Sequence, residues 1–464
     1  MFEQAVSMIN RRRFLQSLAM TAASPTAVLA RNSGNAGFSP LLPDPDGILD
    51  LPAGFTYRVI SRYGEPMDDG LLVPARHDGM AAFPGKDGTL LLVCNHENNP
   101  SQQYYSAFGA GRERLHQVDP ARIYDRGKGE TPGAGGTTTI QYDPLAKERR
   151  RIHLSLSGTE INCAGGPMPW GSWLSCEETF SNPGAGFRSG RVVNREKKHG
   201  YIFEVPATAT GLAKPVPLTA MGRFEHEAAA ASPASGVIYL TEDRHESLLY
   251  RFIPNVPGKL REGGRLQALA IAGQPRFDTR NWGPVRLVPG QWLETEWIDL
   301  DDPDVVQNDL RLRGHDQGAA IFARGEGICY ADGDFAFTCT IGGPQRLGQV
   351  FVYRPSPLEA TPAEQAEPGR LGLIAESGYD SILRNADNIT LSPWGDLLVC
   401  EDTADHCGLV GVRMDGGQYP VADNAYTGSE LAGVCFSPDG STLFVNIQVP
   451  GMTLAISGPW SRTS

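Results

Sequence analysis

The chain lacks any apolar run long enough to cross a membrane, and it lacks a sustained 3.6-residue apolar period beyond its N-terminus. The first absence argues against a helical membrane span, and the second removes helix-dominated architectures. Charge is sparse at 20% of residues, and the balance is acidic at −12. An acidic surface gives phosphates nothing to exchange counterions with, so nucleic acid is not expected as a partner. There is no CxxC pair, and the spacing of the eight cysteines matches neither a zinc site nor a disulfide framework. Also missing are a G-x-S-x-G elbow, an H-E-x-x-H helix and a G-x-x-x-x-G-K-[ST] loop. The glycines at 133–136 precede a strand-like run with no helix after it, which is not a nucleotide fingerprint.

What is present is turn chemistry and strand chemistry. Gly (54) and Pro (35) are abundant and separate short runs of Val, Ile, Leu, Phe and Tyr. That pattern predicts an all-β protein. Cys94, Cys176, Cys339, Cys400 and Cys435 fall in or beside such runs, where a thiol behaves as a small buried hydrophobe. Cys400 and Cys407 are near enough in sequence to pair, but mostly reduced, buried thiols are expected.

Setting the chain against itself reveals a degenerate repeat: strand, Asp-Gly or similar turn, strand, with polar residues at both open ends. Its six members begin near His77, Cys163, His226, Arg324, Asp387 and Ala432. Six hairpins of this kind predict a six-bladed β-propeller, with irregular insertions near 98–136 and 255–305. GYIFEV, LLYRFI and GQVFVYRP read as outer strands. In a propeller the open ends meet at one mouth. The predicted rim holds His77, Asp78, Asn95, Glu97, Cys163, Glu177, Glu178, His226, Glu227, Glu242, Arg324, Glu326, Asp387, Asn388, Glu401 and Asp402.

The N-terminus carries Arg11-Arg12-Arg13-Phe14-Leu15-Gln16, a weak apolar stretch, and Val28 and Ala30 before a small-residue cleavage point. This predicts a twin-arginine signal over 1–30, export by that machinery, and a periplasmic or secreted protein. Removing it leaves a charge of −14. Residues 31–50 read as an extended arm and 51–464 as one propeller domain, expected to be a monomer.

So many carboxylates at one mouth need compensation, and bound cations are the simplest kind. Glu, Asp, Asn and carbonyl oxygens suit Ca2+, while a thiolate at Cys163 suits a transition metal. Arg324 is the odd cation, with a fork that matches phosphate or carboxylate. Metals plus one arginine is the equipment of phosphoryl hydrolysis. Taken singly, each acid also reads as a solvated turn residue, Cys163 as a buried thiol, and Arg324 as a structural partner of Glu326.

NCAGGPMPWGSWLSCEET (162–179), GRFEHEAAA, ARGEGICYADGDFAFT, ADNITLSPWGDLLVCED and GVCFSPDGSTLFVNIQVPGMTLAISGPW resemble the PhoX-type secreted alkaline phosphatases. The resemblance implies a six-bladed propeller that hydrolyses phosphomonoesters with Fe3+ and Ca2+. By it, Cys163 is similar to an iron thiolate ligand, and Glu227 with Glu177 or Glu178 to metal carboxylates. Arg324 and Glu326 are similar to a substrate-contacting arginine and a calcium ligand. Asp387, Asn388 and Glu401 fall in matching stretches, and Glu97 joins the candidate ligands from the repeat. Two other functions fit such a mouth: a Ca2+-dependent esterase or lactonase, and a non-catalytic propeller that Ca2+ stabilises.

Overall fold

The computed structural model describes residues 37–460. The twin-arginine leader expected over 1–30 lies outside the described residues. All six hairpins form, each antiparallel: His77–Pro84 with Leu90–His96, Asn162–Met168 with Ser172–Glu177, and His226–Ala231 with Ile238–Glu242. Gly325–Ala331 pairs with Asp334–Cys339, Ala386–Leu391 with Leu397–Glu401, and Leu431–Phe436 with Thr442–Ile447. The first strand of each hairpin packs on the first strand of the next, and the sixth packs back on the first. The result is a closed, propeller-like ring of sheets.

Outer strands complete the sheets unevenly. Ile202–Pro206, Tyr250–Pro254 and Gln349–Arg354, the three outer runs read from sequence, are third strands. The second sheet stops at that third strand. The third and fourth sheets merge, because Trp292–Asp299 in the 255–305 insertion pairs with both Gly264–Ile271 and Arg370–Glu376. Within residues 31–50, Leu41–Leu42 and the start of Leu49–Pro52 form strands laid on the edge at Gln418–Asn424. Thr56–Arg62 supplies the outer strand of the last sheet by pairing with Met452–Ser457.

Inner strands are buried on both faces because each sheet packs on two neighbours. LLVCE (397–401) and IYLTE (238–242) are buried at every position, so they read as apolar runs and not as alternation. Between the second and third sheets, Leu174, Ile202, Ile238, Leu240 and Phe252 form one continuous core. Each such side chain contributes about 1.5–3 kcal/mol by burial. All eight cysteines are free, Cys400 and Cys407 included.

Candidate metal centre and phosphate site

One backbone irregularity recurs in all six inner strands. Pairing shifts register between His77 and Met80, Asn162 and Gly165, and His226 and Ala229. It shifts again between Gly325 and Ile328, Ala386 and Ile389, and Ala432 and Cys435. A bulge re-aims the side chain it carries. The residue just inside each shift is Asp78, Cys163, Glu227, Glu326, Asp387 and, in the sixth strand, Gly433. Five of the six are ionisable donors of the kind a metal takes. Gly433 has φ +61, and a Cβ there would lie 2.3 Å from the Asp78 carbonyl oxygen, so no side chain fits.

A second set comes from the residue that follows each second strand: Glu97, Glu178, Asp243, Thr340, Asp402 and Gln448. All but Thr340 line a polar cavity of about 320 Å³, together with Arg76, Cys163, Arg324, Glu326, Asp387 and Glu430. Thr340 instead donates its hydroxyl to Glu326 at 2.5 Å.

Three groups of donors converge here: Cys163 with Glu178 and Glu227; Glu227 with Glu326 and Asp387; and Asp78 with Glu97 and Glu430. Within each, the ligand atoms lie within 4.8 Å of one another. At that distance two ionised carboxylates repel by about 3 kcal/mol at an effective dielectric of 20. The thiol of Cys163 stands 3.3 Å from Glu227 Oε1 and 3.7 Å from Asp78 Oδ1.

Protonation equilibria register the crowding. Burial, then neighbouring negative charge, pushes the carboxyls of Asp78, Glu178, Glu227 and Glu326 up. Burial and Asp402 raise Asp387 to about 7. Burial and Asp78 raise the Cys163 thiol. Glu227 Oε2 is buried with no hydrogen-bond partner. A buried, partnerless carboxylate oxygen among other carboxylates could serve as a ligand, and the sulfur–oxygen donor set is of the kind that suits a transition metal beside hard cations.

Two arginines balance the acids. Arg324 donates Nε and Nη2 to the two oxygens of Asp243, each at 2.7 Å, and its Nη2 lies 3.2 Å from Glu326. Arg76 donates to Glu97 at 3.0 Å and to Gln448 at 3.2 Å, and its Nε is buried without a partner. Both sit one residue before an inner strand with positive φ, 48° at Arg76 and 58° at Arg324. The uncommon left-handed turn delivers each guanidinium to the cavity.

Of the sequence candidates, the structure brings Glu97, Cys163, Glu178, Glu227, Arg324, Glu326 and Asp387 together. Glu177 is elsewhere. It faces the space between sheets, where it binds His199 Nδ1 at 2.7 Å and accepts from the backbone N–H groups of Glu160, Gly200 and Tyr201. Glu401 likewise turns outward and accepts from Arg384 N and Gly408 N. The reason is strand alternation: Glu177 and Glu401 end their strands, and the next residue points the opposite way. Asn388 supports the cluster, donating to Asp387 Oδ1 at 3.2 Å and accepting from Gly433 N at 2.8 Å. His226 and Glu242, both on the predicted rim, turn inward, with His226 Nε2 on Gly222 O and Glu242 Oε2 accepting from the Tyr250 hydroxyl. Arg76, Glu430 and Gln448 were not singled out from sequence. For Arg76 the available signal was its place before His77, matching Arg324 before Gly325.

The sequence matches the family described as alkaline phosphatase PhoX over residues 36–451. A comparison with curated proteins finds no match. Among solved structures, Pseudomonas fluorescens PhoX in complex with vanadate, a transition state analogue, superposes with a TM-score of 0.64 at 18% identity. That match covers 89% of this chain and 96% of the other. A gluconolactonase from Xanthomonas campestris, XC5397, gives a TM-score of 0.42 at 11% identity, covering 91% and 99%. Family match and shared fold agree: the chain belongs to the PhoX alkaline phosphatases, a family of phosphomonoesterases.

Proposed function

We propose that this protein is an exported, metal-dependent phosphatase that hydrolyses phosphomonoesters at an iron–calcium cluster in the mouth of a six-bladed propeller. The convergence of Cys163, Glu178, Glu227, Glu326 and Asp387 on one polar cavity that also holds Arg324 is the observation that carries the reading. Cys163, Glu178 and Glu227 would hold Fe3+; Glu326 and Asp387 with Glu227, and Asp78 with Glu97 and Glu430, would hold Ca2+. Such ions supply Lewis-acid polarisation of phosphate oxygens and an activated oxygen nucleophile.

The chain's own residues do the positioning. Arg324, its Nε and Nη2 pinned by Asp243, presents its remaining nitrogen, Nη1, to an equatorial phosphoryl oxygen. Arg76 offers a second cation at the cavity, steered by Glu97 and Gln448. Burial and like charges oppose ionisation of the cluster acids and raise them above the ordinary carboxylate range, Asp387 to about 7. A twin-arginine leader agrees with loading of ions before export, and a periplasmic or secreted location follows from it.

Protein recovered after native export tests the proposal. Elemental analysis should return iron and calcium. A chromogenic phosphomonoester should release phosphate at alkaline pH, and a chelator should abolish this. Iron-free protein with full activity, or turnover of lactones without phosphate release, overturns it.

A further inference from the structure

Arg324 lines the mouth and also a second cavity of about 270 Å³, whose other walls are Asp243, Arg244, His245, Glu246 and Arg311. Asp243 lines both cavities too, so the Asp243–Arg324 ion pair is a wall they have in common. The chain path creates this side cavity. The strand Ile238–Glu242 ends at the mouth, Asp243 joins the mouth lining, and residues 244–246 lead away toward the strand Tyr250–Pro254. The backbone N–H of Arg324 donates to the Arg244 carbonyl at 2.9 Å, which sets the two arginines side by side. The short helix Leu310–Asp316 brings Arg311 to the same cavity.

All six lining residues carry ionisable side chains, and the acids are committed to holding the guanidinium groups. Asp243 takes Nε and Nη2 of Arg324. Glu246 takes Nε and Nη2 of Arg311, whose Nη1 goes to Asn308, and only 11% of that side chain is exposed. Arg244 is different. Glu225 takes its Nη2, while Nε and Nη1 have no partner among the described residues, and 43% of the side chain is exposed. Glu225 is itself shared, since it also accepts from Asn308 Nδ2. His245 is exposed beside Arg244 and stands edge-on to Trp282, its ring centroid 5.9 Å away. Arg280 and Arg346 stack on the same indole at 4.3 and 4.4 Å. A chain of formal charge −12 thus gathers guanidinium groups at one sector of its rim, next to the phosphate site.

What the side cavity offers a guest is accessible N–H groups on a charge that cannot be titrated away, which is the equipment for a carboxylate or a phosphate. A guest there lies across one ion pair from a phosphoryl group held by Arg324 Nη1. We propose that the side cavity is a subsite for a second anionic group of the substrate, carried on the alcohol side of the phosphomonoester and contacted by Nε and Nη1 of Arg244. The inference rests on the phosphatase reading and narrows it: the preferred esters are those of small alcohols that bear a second anion. The volume sits at the small end of ligand pockets, which leaves room for that one group and a few carbons.

The test uses metal-loaded protein recovered after native export. Its substrates are butyl and hexyl phosphate, and the same two chains ending in a carboxylate or in a second phosphate. The two lengths bracket the step past Arg324. At one length at least, a terminal anion should raise kcat/KM about 10-fold over the plain ester, chiefly through KM, as one charge-assisted contact would. The better of carboxylate and phosphate identifies the natural group. Arg244→Gln should bring that preference close to parity. Arg286→Gln removes the same charge from a residue stacked on Phe277, outside the side cavity, and should leave the preference intact. If Arg244→Gln melts lower than its parent, Arg244→Lys, which keeps the charge toward Glu225 but lacks the extra N–H groups, should still lose most of the preference. Protein that hydrolyses the plain esters and gains nothing from a terminal anion at either length overturns the subsite while the phosphatase reading stands. A gain that survives both changes at Arg244, or that falls equally with Arg286→Gln, overturns the assignment to this cavity. Protein inactive on every ester overturns the phosphatase reading and the subsite with it.

Discussion

Glu177 and Glu178 are adjacent in sequence, both carboxylates, and in opposite situations. Glu177 is saturated: three backbone N–H groups and His199 surround it, while His199 in turn reaches Asp125, and Glu160 beside them forms a fork with Arg195. Glu178 faces Asp243, Glu97 and Glu326, and those charges add to burial in raising its carboxyl. One carboxylate is paired into the fold and the other stands among like charges. Burial alone does not distinguish structure from chemistry; the sign of what surrounds the buried charge does.

Substitutions that neutralise one member of the pair should separate the two roles. Glu178→Gln, and Cys163→Ala beside it, should lower kcat/KM by roughly 10⁴-fold, about 5 kcal/mol of barrier. In chelator the same Glu178→Gln protein should melt no lower than its parent, because a repulsive charge has gone. Turnover and melting on one preparation check both halves. Glu177→Gln should behave inversely, losing about 3–5 kcal/mol of stability in a denaturant titration because His199 is left with a broken partner set. Its folded fraction should keep far more activity than Glu178→Gln.

Arg324→Lys tests the fork. A lysine keeps the charge but loses the paired contact to Asp243, and kcat/KM for a phosphomonoester should fall about 10²-fold. The last effect is in pH. Burial opposes charge on His199, but Glu177, Glu160 and Asp125 outweigh it and raise the imidazole from 6.5 to about 10. A group whose folded value is raised gives its full stabilisation below the unfolded value. That contribution is therefore complete below pH 6.5 and is lost as pH climbs through about 10. Chemical denaturation between pH 7 and 10 should show the decline, and Glu177→Gln should flatten it.

The hairpins were legible because strand-forming runs flank turn residues such as Asp332-Gly333, Trp394-Gly395 and Asp439-Gly440. Their convergence was legible from repetition. The choice between Glu177 and Glu178, or Glu401 and Asp402, was not. It depends on which residue is last in its strand, and a one-residue difference sends a side chain to the other face. Asp78 could be placed at the rim, but the shift that turns it and its four counterparts inward is a backbone feature with no residue signature of its own. Arg76 escaped because its one signal is its place before an inner strand, and the left-handed turn there is what aims it at the cavity. Merging of the third and fourth sheets through Trp292–Asp299 was hidden inside a stretch that read as an insertion.

Thr56–Arg62 closes the last sheet, so residues near the beginning of the chain wait for Met452–Ser457 near its end. Groups at the mouth are drawn from Arg76 to Gln448, and the set of Asp78, Glu97 and Glu430 takes its members from both sides of that junction. A chain still being synthesised can bring Cys163, Glu178 and Glu227 together, because they lie on consecutive sheets. The set at Asp78 waits for the last sheet to join the first.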